Sequence, residues 1–130
     1  MGEATYKRIF FIGALWNVLG GVFVVAATGW IFGSAGLAEP TPTVYYYGWI
    51  ALFMTFGLGY YLVYRDLYRN RDIALLGAIG KVAFAAVFLY GFFAYPGQVP
   101  LFFLIPVAGD LVFAALFVMF LRFAAGKEGS

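Results

Sequence analysis

Residues 73–94 read IALLGAIGKVAFAAVFLYGFFA, a run in which Lys81 is the single charged residue. A helix needs roughly 20 apolar residues to cross the hydrocarbon of a bilayer, so this run has the length and character of a membrane span. Working outward, residues 101–121, LFFLIPVAGDLVFAALFVMFL, repeat the pattern with Asp110 as their lone charge, and residues 9–31 and 44–64 carry no charge at all. Short connections between such runs force neighbours to run antiparallel. The expectation is an all-α, integral membrane four-helix up-down-up-down bundle, with residues 1–130 forming a single transmembrane domain.

Composition leads the same way. Of the 130 residues, 65% are hydrophobic and 11% charged, against roughly 45–50% and about 25% in soluble domains. A chain this short cannot hide so much apolar surface in a globular core, because a domain of its size leaves about a third of its unfolded-chain surface exposed. Lipid is therefore the expected solvent. The run at 9–31 follows Lys7 and Arg8, but it is longer than the 7–15 residues of a typical signal-peptide core and is read as a retained helix.

The charges orient the spans. Lys7 and Arg8 precede the first run, Arg65, Arg69 and Arg71 lie between the second and third, and Arg122 and Lys127 follow the fourth, whereas the connections 32–43 and 95–100 contain neither Lys nor Arg. Positively charged segments stay in the cytoplasm, so both termini and the central connection are expected there, in the plasma (inner) membrane of the cell. Aromatic residues cluster at the same boundaries: Trp30, Tyr45, Tyr46, Tyr47, Trp49 and Tyr95 near the outer ends, and Tyr6, Tyr60, Tyr61, Tyr64 and Tyr68 near the inner ones. Such belts anchor helices among lipid headgroups. The connection 32–43 holds Gly33, Gly36, Pro40 and Pro42, which predicts a turn or short interfacial helix there.

Little in the four runs would be rejected by lipid. The exceptions are Asn17, Thr55, Lys81 and Asp110, with Thr28 nearer an outer end. At 1.5 Å per residue, Asn17 and Lys81 each lie about 13 Å from the inner start of their helices, and Asp110 about 14 Å from the outer start of its own. All three sit near the midplane. A charge there costs about 2.5–3.5 kcal/mol on insertion scales, so Lys81 and Asp110 are expected to face each other across the bundle, with Asn17 adding hydrogen bonds. Asn17, Lys81, Asp110 and Thr55 are the candidate ligand-binding residues.

Small residues suggest which faces pack. Gly13, Gly20 and Gly21 flank Asn17, Ala74, Gly77, Ala78 and Ala85 share a face with Lys81, and Gly48, Ala51, Thr55 and Gly59 form a further stripe. Such stripes let helix backbones approach closely, so packing explains them without a binding role. Pro106, one turn before Asp110, is expected to free the carbonyl of Phe102 and kink the last helix beside the site. Thr55 has a plainer reading, a bond back to its own helix.

The absence of Cys and His removes disulfides, thiol redox chemistry, histidine-ligated haem and the usual zinc or copper sites. No cofactor, metal site or catalytic residue is expected. A net charge of +2, with basic residues scattered between apolar runs, argues against nucleic-acid binding. Two functions compete. In one, the midplane residues receive or transport a small polar ligand or a proton, because transporters place their sites at that depth. In the other, the chain is a structural or accessory subunit whose Lys81–Asp110 pair serves helix packing alone. An enzyme is the weakest alternative, because a carboxylate beside Lys81 holds it charged and no nucleophile–base–orienter set is present. The expected partners are the lipid bilayer and either further copies of the chain, as a homo-oligomer, or other membrane subunits.

The length, the number of spans and the segment Gly77-Ala78-Ile79-Gly80-Lys81 resemble the small four-helix bacterial membrane proteins of the DoxX-like kind. In that group the glycine-then-lysine segment usually stands in the first helix, whereas here it stands in the third. The resemblance implies association with membrane redox complexes and carries over no catalytic residue.

Overall fold

A computed structural model of the chain describes residues 1–129. These residues are all-α, with helices α1 (Glu3–Ala26), α2 (Thr28–Ser34), α3 (Thr43–Arg65), α4 (Arg71–Ala94) and α5 (Leu104–Glu128), the last entered through a 3-10 turn at Leu101–Phe103. Three stretches are long and apolar enough to cross a membrane: α1, α4, and α5 with its entry turn. Helix α3 matches them in length, at 23 residues, but its tyrosines, Tyr45, Tyr46, Tyr47, Tyr60, Tyr61 and Tyr64, dilute its apolar character. The expectation of four comparable spans is thus met in three helices by length and composition.

The four long helices pack antiparallel to their neighbours in the cyclic order α1, α3, α4, α5. Two seams are close along their length, α1 with α3 and α4 with α5, and the two seams between these pairs are looser. Glycine explains the first close seam. At Gly57 an added Cβ would lie 2.9 Å from Asn17 Cβ and 3.1 Å from the Ala14 carbonyl oxygen, so α1 and α3 approach there at a distance only glycine permits. In α4 the buried face is Ala74, Gly77, Ala78, Lys81 and Ala85, as the small-residue pattern implies. The stripe on α3 behaves otherwise: Gly48, Ala51 and Thr55 are exposed, and the inward face is Tyr46, Ile50, Gly57, Tyr60 and Val63. Apart from Gly57 at the α1 contact, large side chains hold that face because it also borders the looser α3–α4 seam, where small ones would leave a void.

Three further expectations are corrected. The first run does not continue to residue 31; α1 ends at Ala26 and a short α2 begins at Thr28, whose hydroxyl donates to the carbonyls of Val24 (2.7 Å) and Val25 (3.1 Å) and so competes with the helical ladder. Pro106 is not an interior residue of the last helix: α5 starts at Leu104, after the 3-10 turn, and the proline falls in its first turn, where its missing N–H has no intrahelical partner to lose. Tyr6, Tyr46 and Tyr60 are core residues rather than interface anchors. In the lower core Phe10 stacks on Phe117 with ring centroids 4.5 Å apart, and Tyr60 meets the same ring edge-on at 4.9 Å.

One end of the bundle gathers the termini and the α3–α4 connection. Tyr68 Oη donates to Glu3 at 3.0 Å, and Arg71 pairs with Glu128. The connection itself is tied by Asp66, which accepts from the Arg69 N–H, and by Asn70, whose side chain donates to the Leu62 carbonyl at the end of α3. Lys7, Arg8, Arg65, Arg69, Arg71, Arg122 and Lys127 therefore belong to one end of the molecule, and Lys81 is the remaining basic residue.

Candidate functional site

Lys81 and Asp110 reach each other because α4 and α5 run antiparallel, with Lys81 near the middle of α4 and Asp110 two turns into α5, so that both lie at a similar depth below the short connection between the helices. The Lys81 ammonium donates to Asp110 Oδ1 at 2.7 Å and to Asn17 Oδ1 at 3.1 Å. Asn17 in turn donates to the Phe53 carbonyl at 2.8 Å, and the Trp16 indole N–H donates to Asp110 Oδ1 at 3.1 Å. This cluster links all four long helices. Lys81, Asp110 and Asn17 are 3%, 1% and 2% exposed, so the pair is withdrawn from the surroundings and held by hydrogen bonds, as a buried ion pair must be to persist.

Aromatic rings complete the environment of the ammonium. Its nitrogen lies 5.3 Å from the ring centroids of Tyr60 and Phe113 and 5.8 Å from that of Phe53, within the range of cation–π attraction. Tyr60 comes this close because its ring rests against Gly77 of α4, where an added Cβ would lie 2.5 Å from the ring.

A cavity of about 190 Å³ opens at the cluster, lined on α3 chiefly by Trp49, Leu52, Phe53, Phe56 and Tyr60, on α4 by Gly80, Lys81 and Phe84, with Asn17 and Asp110 at its floor. Leu52, Phe56 and Gly80 are exposed and form its rim, so the mouth lies in the loose α3–α4 seam. A second cavity, of about 240 Å³, lies toward the other loose seam, between Gly20, Gly21 and Phe23 of α1 and Ile105 and Pro106 of α5. Trp49, Phe53 and Phe84 border both cavities. The larger one presents almost nothing but carbon, and the smaller is the one that reaches Lys81, Asp110 and Asn17.

Of the four candidate residues, Asn17, Lys81 and Asp110 come together and Thr55 does not. Thr55 is exposed and donates to the Ala51 carbonyl of its own helix at 2.8 Å. Sequence reasoning omitted Trp16 and Tyr60 from the site. The signal for Trp16 was its place next to Asn17, because a partly buried indole N–H seeks an acceptor. Tyr60 had no such signal, since a tyrosine near a helix end reads equally as an interface anchor. No protein-family model matches the chain, and neither does a curated protein or a solved structure.

Proposed function

We propose that the chain is a four-helix integral membrane protein, with α3 as its fourth span and both termini in the cytoplasm, that binds a small molecule drawn from the bilayer against Lys81, Asp110 and Asn17. The observation that carries this reading is the cavity at the ion pair, whose mouth lies between α3 and α4. A seam at that depth would face lipid, and packing alone does not require a gap beside a buried charge. Passage of the ligand, or of a proton, would use the same groups.

Native mass spectrometry from lipid tests the reading. The wild-type chain should carry a small-molecule adduct that Gly80→Leu loses, because the position of a Cβ on Gly80 is open and a leucine there would fill the mouth without displacing backbone. An adduct kept at full occupancy by both Gly80→Leu and the double variant Lys81→Met/Asp110→Leu would overturn it.

A specific observation also favours the architectural alternative: the cluster bonds to all four long helices and holds them in register. In that reading the chain is an accessory subunit, associated with its own copies or with other membrane proteins. The doubly apolar variant would then keep its partners and every measurable property except its stability.

A further inference from the structure

The ligand class can be taken one step further on the binding reading above. The geometry points to a neutral molecule with a single flat ring and an O–H or N–H donor, which it gives to Asp110 Oδ2. Both contacts to the Asp110 carboxylate, from Lys81 and from Trp16, fall on Oδ1. Among the described residues Oδ2 accepts no hydrogen bond, yet no fully enclosed side-chain oxygen or nitrogen lacks a partner, so Oδ2 touches the cavity that Asp110 lines. The Tyr60 hydroxyl is in the same position, without a hydrogen bond in a side chain 1% exposed that lines the same cavity. A carboxylate oxygen only accepts, and a ligand donor is what completes it.

Three constraints narrow the molecule. Lys81 and Asp110 already sum to zero charge, and no other Asp, Glu, Lys or Arg is among the residues that line the cavity; a charged ligand would bring an uncompensated charge into an apolar site, which is strongly disfavoured. The walls are the rings of Trp49, Phe53, Phe56, Tyr60 and Phe84, with Trp49 and Phe84 centroids 5.7 Å apart, and such walls favour a planar body. A volume of about 190 Å³ falls below the roughly 300–1,000 Å³ of ordinary small-molecule sites, which leaves room for one ring with a short substituent. Entry is sideways, past Leu52, Phe56 and Gly80.

Brominated probes test this directly, since bromine quenches tryptophan fluorescence on contact and Trp49 lines the cavity. The full chain in phosphatidylcholine nanodiscs is titrated with 4-bromophenol, 4-bromotoluene, 4-bromobenzoate and 4-bromobenzyltrimethylammonium, each corrected for partition into the bilayer. 4-Bromophenol should quench saturably, with an apparent Kd lower than that of 4-bromotoluene by at least about tenfold, the scale expected when a buried acceptor gains or lacks its donor. Gly80→Leu should abolish the saturable component. Equal affinity of the phenol and the toluene, both lost in Gly80→Leu, would overturn the donor assignment and leave the site itself standing. Tighter binding of the benzoate or the ammonium would overturn the neutral class. Quenching that never saturates, or that Gly80→Leu leaves unchanged, would overturn the site and the ligand class together.

Discussion

The Trp16 indole lies directly over Gly109: a Cβ on Gly109 would meet the six-membered ring at 2.3 Å. The indole reaches across the looser α1–α5 seam to make this contact, which brings the Trp16 N–H within 3.1 Å of the neighbouring Asp110. The glycine thus acts on the ion pair without touching it, by giving the indole a flat seat on α5.

Gly109→Ala should accordingly lift Trp16 off α5 and break its bond to Asp110. Overpacking of this kind costs about 1–3 kcal/mol. The expected readouts are a lower thermal midpoint and a shifted tryptophan emission. Trp16→Phe, which removes the donor but keeps most of the ring, should lose stability without disturbing the α1–α5 spacing; a Gly109→Ala protein as stable as wild type would show that the seat is not needed.

Lys81→Met or Asp110→Leu alone should destabilise the fold by about 3–5 kcal/mol, because each strands the other charge in an apolar interior. The double replacement should recover much of that loss. Reversible unfolding in mixed micelles or bicelles measures all three variants, and additive losses in the double variant would rule out a coupled pair.

At the α1–α3 seam, Gly57→Ala should cost about 1–3 kcal/mol by forcing its methyl against the Ala14 carbonyl and Asn17 Cβ, whereas Gly48→Ala, which meets nothing within 4 Å, should be neutral or slightly stabilising. The first variant should also loosen the Asn17 bond to the Phe53 carbonyl. Comparing their melting temperatures checks the contrast, and equal effects would refute the close approach.

Topology is testable because the chain has no cysteine of its own. A cysteine placed at Ala38 or Gly97 should react in intact cells with a membrane-impermeant reagent, and one at Asp72 should not. Labelling at Asp72 from outside would reverse the proposed orientation.

Much of this protein follows from its sequence because the governing quantities are local. Span length and the side of the basic residues depend on runs of consecutive residues, and three of the four runs meet the spanning criterion in the structure. The meeting of Lys81 and Asp110 was also legible: two charges at a similar depth on adjacent antiparallel helices have nowhere better to go than each other. What the chain order could not tell was which helix seams close and which stay loose. That choice rests on pairs far apart in sequence: Gly57 lets α3 close against Asn17 and Ala14 of α1, whereas the looser seams are bridged by large side chains, Trp16 over Gly109 and Tyr60 over Gly77. Shape complementarity between such pairs decides the spacing of the helices, and no single helix records it. For the same reason only the tertiary structure put Thr55 outside and Tyr60 inside, and opened a cavity beside the ion pair: a residue's face is read from its own helix, but its neighbours are set by how that helix is rotated against the others.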